Sequence, residues 1–241
     1  MKKTAVITGA SGAIGSETAL ALAKEGYQLL LCGHSSKEKL EETRDRCLRH
    51  TSSCLTICGD IGDSHTAKNI ADTALQQFGH IDVLINNAGV SQIGLVTDVT
   101  DDEWFQLMNT NLSSAFFLCR QILPAMIHEK AGRILNISSI WGCVGASCET
   151  VYSASKGGLN AFTKALAKEL APSGIAVNAV SCGMIDTKMN ACLTEEEIES
   201  ICLEIPIGRM ASPKETAAFI ALLLKAPVYM TGQVIGFDGG W

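Results

Sequence analysis

Short apolar runs alternate with longer amphipathic stretches along the chain. The apolar runs lie at 4–8, 28–32, 54–58, 83–86, 133–138, 176–181 and 234–237. Between them, apolar positions recur every three to four residues near 15–25, 37–50, 64–78, 102–128, 151–171 and 213–225. The first set reads as strands and the second as helices. Strands that are apolar on both sides must be covered on both faces. The pattern therefore predicts an α/β fold, a doubly wound parallel sheet of about seven strands with helices on each face. Gly26, Gly79 and Gly174 fall just past helix ends, where a left-handed C-cap is expected. With no internal repeat and no linker, residues 1–241 read as a single domain. The one long stretch between a strand and a helix, 184–208, carries a helical pattern of its own after Thr194 and reads as a lid over a site.

Composition narrows the function. The chain is 47% apolar and 18% charged, with a net charge of −6, which argues against a nucleic-acid partner because phosphate contacts need a basic face. The longest apolar run, 217–224, is far shorter than the ~20 residues that span a bilayer. Met1-Lys2-Lys3 opens on an apolar stretch that breaks at once into Gly9-Ala10-Ser11-Gly12, too early for a signal peptide. A cytoplasmic protein with no membrane partner is expected. The ten cysteines show neither a C-x-x-C pair nor zinc-ligand spacing, so no metal site is expected and the thiols should be reduced. Cys54 and Cys58 share one face of a predicted strand and read as core.

The first strand is followed by Thr8-Gly9-Ala10-Ser11-Gly12-Ala13-Ile14-Gly15, which opens the first helix. Small residues there let backbone approach a pyrophosphate, and a helix N-terminus offers free N–H groups to it. An acid about 20 residues further on would hold a ribose 2′-hydroxyl. None is present in Cys32-Gly33-His34-Ser35-Ser36-Lys37. His34, Ser35 and their neighbours can instead receive a 2′-phosphate, which favours NADP(H) over NAD(H); the other reading of His34 is a solvated loop residue. Tyr152 and Lys156 stand four apart at the start of a predicted helix, on one face. An ammonium beside a phenol favours the phenolate, so a lowered Tyr152 pKa and proton transfer near neutral pH are expected.

Taken with Asn86-Asn87-Ala88-Gly89, Asn111, Ser139 and the ending Gly232-Gln233-Val234 to Asp238-Gly239-Gly240, these motifs make the whole chain resemble the short-chain dehydrogenase/reductases. The resemblance implies a Rossmann-type fold and an oxidoreductase acting on a CH–OH group. It implies a catalytic tetrad of Asn111, Ser139, Tyr152 and Lys156. Tyr152 is then the general acid in reduction, Ser139 hydrogen-bonds the substrate oxygen, Lys156 binds the nicotinamide ribose and tunes Tyr152, and Asn111 holds a water linking Lys156 to solvent. The cofactor positions implied are Gly9, Ser11, Gly12, Ile14 and Gly15 in the turn, then Asp60 and Ile61 near adenine. Asn87, Ala88 and Gly89 line the cofactor, and Ile185 and Thr187 meet the carboxamide and phosphates. Asp60 also reads as a simple turn residue. Two positions depart from the family pattern: Ala13 replaces a glycine, and Cys182 replaces a proline before Gly183.

Within the family the chain is similar to bacterial 3-oxoacyl-[acyl-carrier-protein] reductases. Locally, over Ser138–Gly142, Gly145–Glu149, Leu95–Thr100 and Ile205–Arg209, it is similar to reductases of 5-aminopentanone-modified elongation factor P. The implied substrate is a small or protein-carried ketone, the carrier being acyl carrier protein or elongation factor P. Glu149, where 3-oxoacyl reductases commonly have glutamine, reads either as a substrate contact or as a cap of the next helix. Of the two basic positions that dock an acidic carrier near the active-site mouth, Lys130 fills one and Ser173 occupies the other. A dinucleotide-binding regulator without turnover and a dehydrogenase of another small secondary alcohol are the alternatives. A homotetramer is expected from the resemblance.

Overall fold

The computed structural model describes residues 2–191 and 193–241. Among these, seven strands form one parallel sheet: β1 (Thr4–Thr8), β2 (Gln28–Gly33), β3 (Cys54–Cys58), β4 (Val83–Asn86), β5 (Gly132–Ser139), β6 (Ile175–Cys182) and β7 (Val234–Phe237). Their order is β3-β2-β1-β4-β5-β6-β7. The helices are α1 (Ala13–Lys24), α2 (Lys37–Leu48), α3 (Ser64–Phe78), α4 (Asp101–Met108), α5 (Ser114–Glu129), α6 (Trp141–Val144), α7 (Thr150–Leu170), α8 (Glu195–Glu204) and α9 (Pro213–Leu223).

Alternation along the strands sorts the core into two layers. Ala5, Ile7, Leu29, Leu31 and Ile85 point to the face covered by α1, α2 and α9. Val6, Leu30, Leu84, Ile134 and Val177 point to the face covered by α3, α5 and α7. Each fully buried leucine of this kind contributes about 1.5–3 kcal/mol through removal from water. Side chains fix the helix starts. Asp63 accepts from Thr66 N at 3.0 Å at the head of α3. Capping boxes pair Thr100 with Glu103, Thr194 with Glu197, and Ser212 with Glu215. Gly26, Gly79 and Gly174 all have φ between 70 and 85° and end helical segments as expected.

Two expectations are corrected. The helix expected over 102–128 is interrupted: a π-helical turn, Asn109–Ser113, separates α4 from α5. Five residues are too few for periodicity to distinguish a π turn from the α-helix on either side. Cys58 is exposed, unlike buried Cys54, because it ends the strand at the open edge of the sheet. The nine described cysteines are free thiols, and Cys192 lies outside the described residues. No helix among the described residues is long and apolar enough to cross a membrane.

The segment 184–208 leaves the end of β6 and returns through a bridge between Ile185 and Ala211. It holds a 3₁₀ turn (Lys188–Asn190) and α8. Asn190 fastens it by donating to the Ile185 carbonyl at 2.7 Å. No residue of α8 is fully buried, so the helix rests on the molecule instead of filling its core.

Candidate active site

The chain reverses direction across the sheet between β1 and β4, and the crevice at such a point opens at the carboxyl ends of the strands. The turn from β1 into α1 lies there. Gly9 has φ +64°, and a Cβ on it would come within 2.8 Å of Ala88 Cα. A Cβ on Gly15 would stand 2.3 Å from the Gly9 carbonyl oxygen, so both positions admit only glycine. Asn87 braces the turn from β4: its Nδ2 donates to the carbonyls of Thr8 at 2.9 Å and Gly9 at 3.2 Å. Helix α1 begins after Gly12 with no side-chain cap, which leaves its first N–H groups free for an anion.

This turn walls a cleft of about 430 Å³. Gly9, Ser11, Gly12, Ile14 and Gly15 line one side, and His34, Ser35, Asp60 and Ile61 line the ends of β2 and β3. Asn87, Ala88, Gly89 and Thr187 complete it. Asp60 Oδ1 also accepts from Gly62 N at 2.8 Å, so it is a turn residue and a cleft residue at once. His34 is exposed as well as lining the cleft. A shallow cradle of small residues, an uncapped helix N-terminus and flanking isoleucines fit a dinucleotide's pyrophosphate and rings.

A second cavity of about 230 Å³ adjoins the cleft and shares Ile14, Asn87, Gly89, Thr187 and Met189 with it. Ser139, Tyr152, Lys156 and Ile185 line it. Ser139 ends β5, its Oγ accepts from Trp141 N at 3.2 Å, and its side chain acts on Tyr152 to lower the phenol pKa. Lys156 Nζ donates to the Ile137 carbonyl at 2.8 Å and sits 5.8 Å from the Tyr152 ring centroid. Asn111, in the π-helical turn, is pinned to Val90: its Oδ1 accepts from Val90 N and its Nδ2 donates to Val90 O, both at 2.9 Å. Its Nδ2 also donates to Ser155 Oγ at 3.0 Å, which ties the π turn to α7 between Tyr152 and Lys156.

Burial, not Lys156, sets the state of Tyr152. Its pKa is raised, first by desolvation and then by the nearby Cys182 and Glu149, with only the Ser139 hydrogen bond acting downward. The lowering expected from Lys156 is thus corrected. The ammonium lies toward the ring, and its own burial brings the Lys156 pKa down to about 8. The arrangement holds a protonated phenol, suited to giving a proton. Cys182, in place of the family's proline, lines the same cavity. Burial pushes its thiol up to about 12, opposed by Lys156, so it is no thiolate near neutral pH.

Of the rest of the cavity wall, the lid and Glu149 were read from the sequence, whereas Ile93, Trp141 and Trp241 were not. Ile93 and Trp141 stand opposite the lid residues Met184, Leu193 and Ile201. Trp241 packs edge-on against Trp141 with centroids 5.0 Å apart. Glu149 occupies the N-cap position of α7 but makes no capping hydrogen bond; its Oε2 accepts from Ser91 Oγ at 2.8 Å and its side chain lines the cavity. Lys130 and Ser173 are corrected in position. They precede β5 and β6, whose far ends carry Ser139 and Cys182. Eight-residue strands put roughly 25 Å between them and the site of the same chain.

The family model for short chain dehydrogenases matches residues 3–198, and the chain belongs to that family. It is an NAD(P)-dependent oxidoreductase acting on CH–OH groups. Its relatives include the uncharacterized oxidoreductase YmfI of Bacillus subtilis strain 168, 42% identical over 100% of this chain and 99% of that one. The 3-oxoacyl-[acyl-carrier-protein] reductase FabG of Thermotoga maritima is 37% identical over 99% of this chain and 97% of its own. Among solved structures, an actinorhodin polyketide ketoreductase variant with NADPH superposes with a TM-score of 0.94 at 33% identity, covering 99% of this chain and 97% of that one.

Proposed function

We propose that the chain is an NADP(H)-preferring ketone reductase, working as one domain, in which Tyr152 protonates the carbonyl oxygen. The observation that carries this reading is a protonated, buried Tyr152 beside Ser139 in a cavity that adjoins a dinucleotide-sized cleft. The bound nicotinamide supplies a hydride to the carbonyl carbon. Ser139 and Tyr152 orient the carbonyl oxygen, and Tyr152 gives it a proton, leaving a secondary alcohol. Lys156, buried and titrating at about 8, stands beside Tyr152 as the group that favours the phenolate left after transfer. Asn111 holds α7 against the Val90 loop. Preference for NADP(H) rests on His34 and Ser35 at the end of the cleft and the missing carboxylate over 32–37.

The substrate is a ketone carrying a positive charge. Glu149 lies half-buried in the substrate cavity with no cationic partner among the described residues, and its one side-chain hydrogen bond comes from neutral Ser91. A 5-aminopentanone group on elongation factor P has the chemistry to meet it. A 3-oxoacyl thioester on acyl carrier protein is the second reading, favoured by the likeness to the Thermotoga maritima reductase. The protein works in the cytoplasm as a homotetramer, and exposed Trp104, Phe105 and Phe116 on α4 and α5 give it an apolar face for a second copy.

The test is NADPH oxidation with acetoacetyl thioesters and with 5-aminopentanone-modified elongation factor P, run side by side. A higher kcat/KM on the modified elongation factor supports the cationic reading. A higher value on the thioester gives first place to the carrier-protein reading, and silence on both removes ketone reduction altogether.

A further inference from the structure

The rim of the substrate cavity is apolar and exposed. Ile93, Trp141 and Ile201 belong to the cavity wall. Leu95 and Val96 follow Ile93, Val144 follows Trp141, and Leu203 follows Ile201. Steps of two or three residues span at most about 10 Å, so all four stand at the mouth. Their exposures run from 58% for Leu95 to 87% for Leu203. Apolar side chains gathered around an opening mark a surface that meets a partner. Charge says which kind. The segments that carry this rim are 91–108, 141–155 and 189–208. They hold ten of the chain's 25 Asp and Glu and none of its Lys, Arg or His. The remaining 15 acids are outnumbered by 19 bases, so the rest of the chain is net positive. None of the ten carboxylates meets a basic side chain among the described residues. Helix starts account for Asp101, Asp102 and Glu103 in α4 and for Glu195, Glu196 and Glu197 in α8, where acids suit the dipole. They do not account for Asp98, Glu149 or Glu199, and the dipole opposes Glu204 in the last turn of α8.

We propose that this rim docks a basic protein segment that carries the ketone on one of its side chains. The proposal rests on the ketone-reductase reading given above and adds to it the surface of the partner. A free small ketone fits within the cavity of about 230 Å³ and needs no rim. A tethered ketone brings its carrier's surface against the mouth. Lysines and arginines around the tether then meet the carboxylates of the 91–108 and 189–208 segments as the ketone reaches Tyr152. Leu95, Val96, Val144 and Leu203 pack on the stems of those long basic side chains. Glu149, the one carboxylate among the described residues of the cavity wall, continues the acidic surface inward. A carrier with an acidic face meets like charge at the same mouth, which slows its approach.

Two labelled peptides of equal length test this, each with one methyl-ketone side chain. Lysine and arginine flank the ketone in one, aspartate and glutamate in the other. Binding followed by fluorescence anisotropy should be about ten-fold tighter for the basic peptide at about 20 mM salt, and the difference should shrink by about 300 mM. Glu195→Gln, Glu196→Gln and Glu199→Gln combined should remove most of the preference. Leu203→Ser should weaken the basic peptide even at the higher salt, where screening leaves the apolar contact. NADPH-dependent reduction of 2-pentanone is the control, and neither salt nor these substitutions should change it by more than about two-fold. Equal affinity for both peptides, or preference for the acidic one, overturns the proposal. Binding of neither also overturns it and leaves the rim to a second copy of this chain. A failure of the ketone-reductase reading looks different: neither peptide nor 2-pentanone is reduced, while the basic peptide still binds in a salt-sensitive way.

Discussion

At Tyr152, desolvation and hydrogen bonding pull in opposite directions, and desolvation is the larger. The group most directly tied to proton transfer is therefore its hydroxyl. Replacing Tyr152 with Phe keeps the ring against Val151 and Leu107 and removes the donor. Single-turnover reduction should fall about 10²–10⁴-fold, the usual contribution of general acid catalysis, while NADPH binding followed by fluorescence stays near wild type. Wild-type turnover in the variant removes Tyr152 from the chemistry. Glu149 is tested by Glu149→Gln, which keeps shape and removes charge. An exposed ion pair is worth about 0.2–1 kcal/mol, more where water is excluded, so kcat/KM for an amine-bearing ketone should drop several-fold. Acetoacetyl substrates should respond little; an equal response from both makes Glu149 a brace for the Ser91 loop. The sequence showed that Tyr152 and Lys156 share a face, because a four-residue spacing on a helix is local geometry. It could not show the sign of the Tyr152 shift, because desolvation by the fold outweighs the opposing influence of Ser139, and Cys182 adds to the rise from another strand.

Among the elements, the lid was readable and the π turn was not. Thr194-x-x-Glu197 is a capping box written in the sequence, and α8 starts there. The π turn is set by the tertiary tie of Asn111 to Val90 and Ser155, contacts 21 and 44 residues away in sequence. The cap of α8 matters more than most because the helix has no fully buried residue to hold it. Thr194→Ala removes the box and should cost about 1 kcal/mol of helix stability. Since α8 belongs to the locally opening part of the molecule, that cost should appear as faster amide exchange over 195–204 and a raised substrate KM. The global unfolding midpoint should hardly move. A large drop in that midpoint with unchanged exchange shows that the lid is part of the cooperative core.

For the whole molecule, alternation of strands and helices carried the topology, and the one misplaced pair, Lys130 and Ser173, shows what pattern alone leaves out. Both precede strands, and in a parallel sheet every strand start lies at the end away from the crevice. The same burial that builds the core gives the protein a pH limit. Burial holds the thiols of Cys32, Cys119 and Cys182 up to about 12. In the unfolded chain a thiol titrates near ~8.5. A folded pKa above the unfolded one means stability that is whole below the unfolded value and is lost as pH rises toward the folded value. Each such thiol removes about 1.4 kcal/mol per pH unit in that window, so three remove roughly 4. Lys156 acts in reverse. Its folded pKa of about 8 lies below its unfolded value, so stability rises through the interval between them, by roughly 1.4 kcal/mol per unit. The balance between pH 9.5 and 10.4 is a loss of roughly 3 kcal/mol per unit, and above pH ~10 buried Tyr152, with its raised pKa, adds to the loss. A domain of typical stability, about 5–15 kcal/mol, should therefore unfold near pH 11–12 or beyond. Urea midpoints at pH 8, 9.5 and 10.4 test this, with Cys119→Ala as the comparison. The alanine variant starts lower, because it leaves a small void, yet its slope should be shallower by about one thiol's share. Parallel slopes in the two proteins mean that the Cys119 thiol is free to ionise inside the fold.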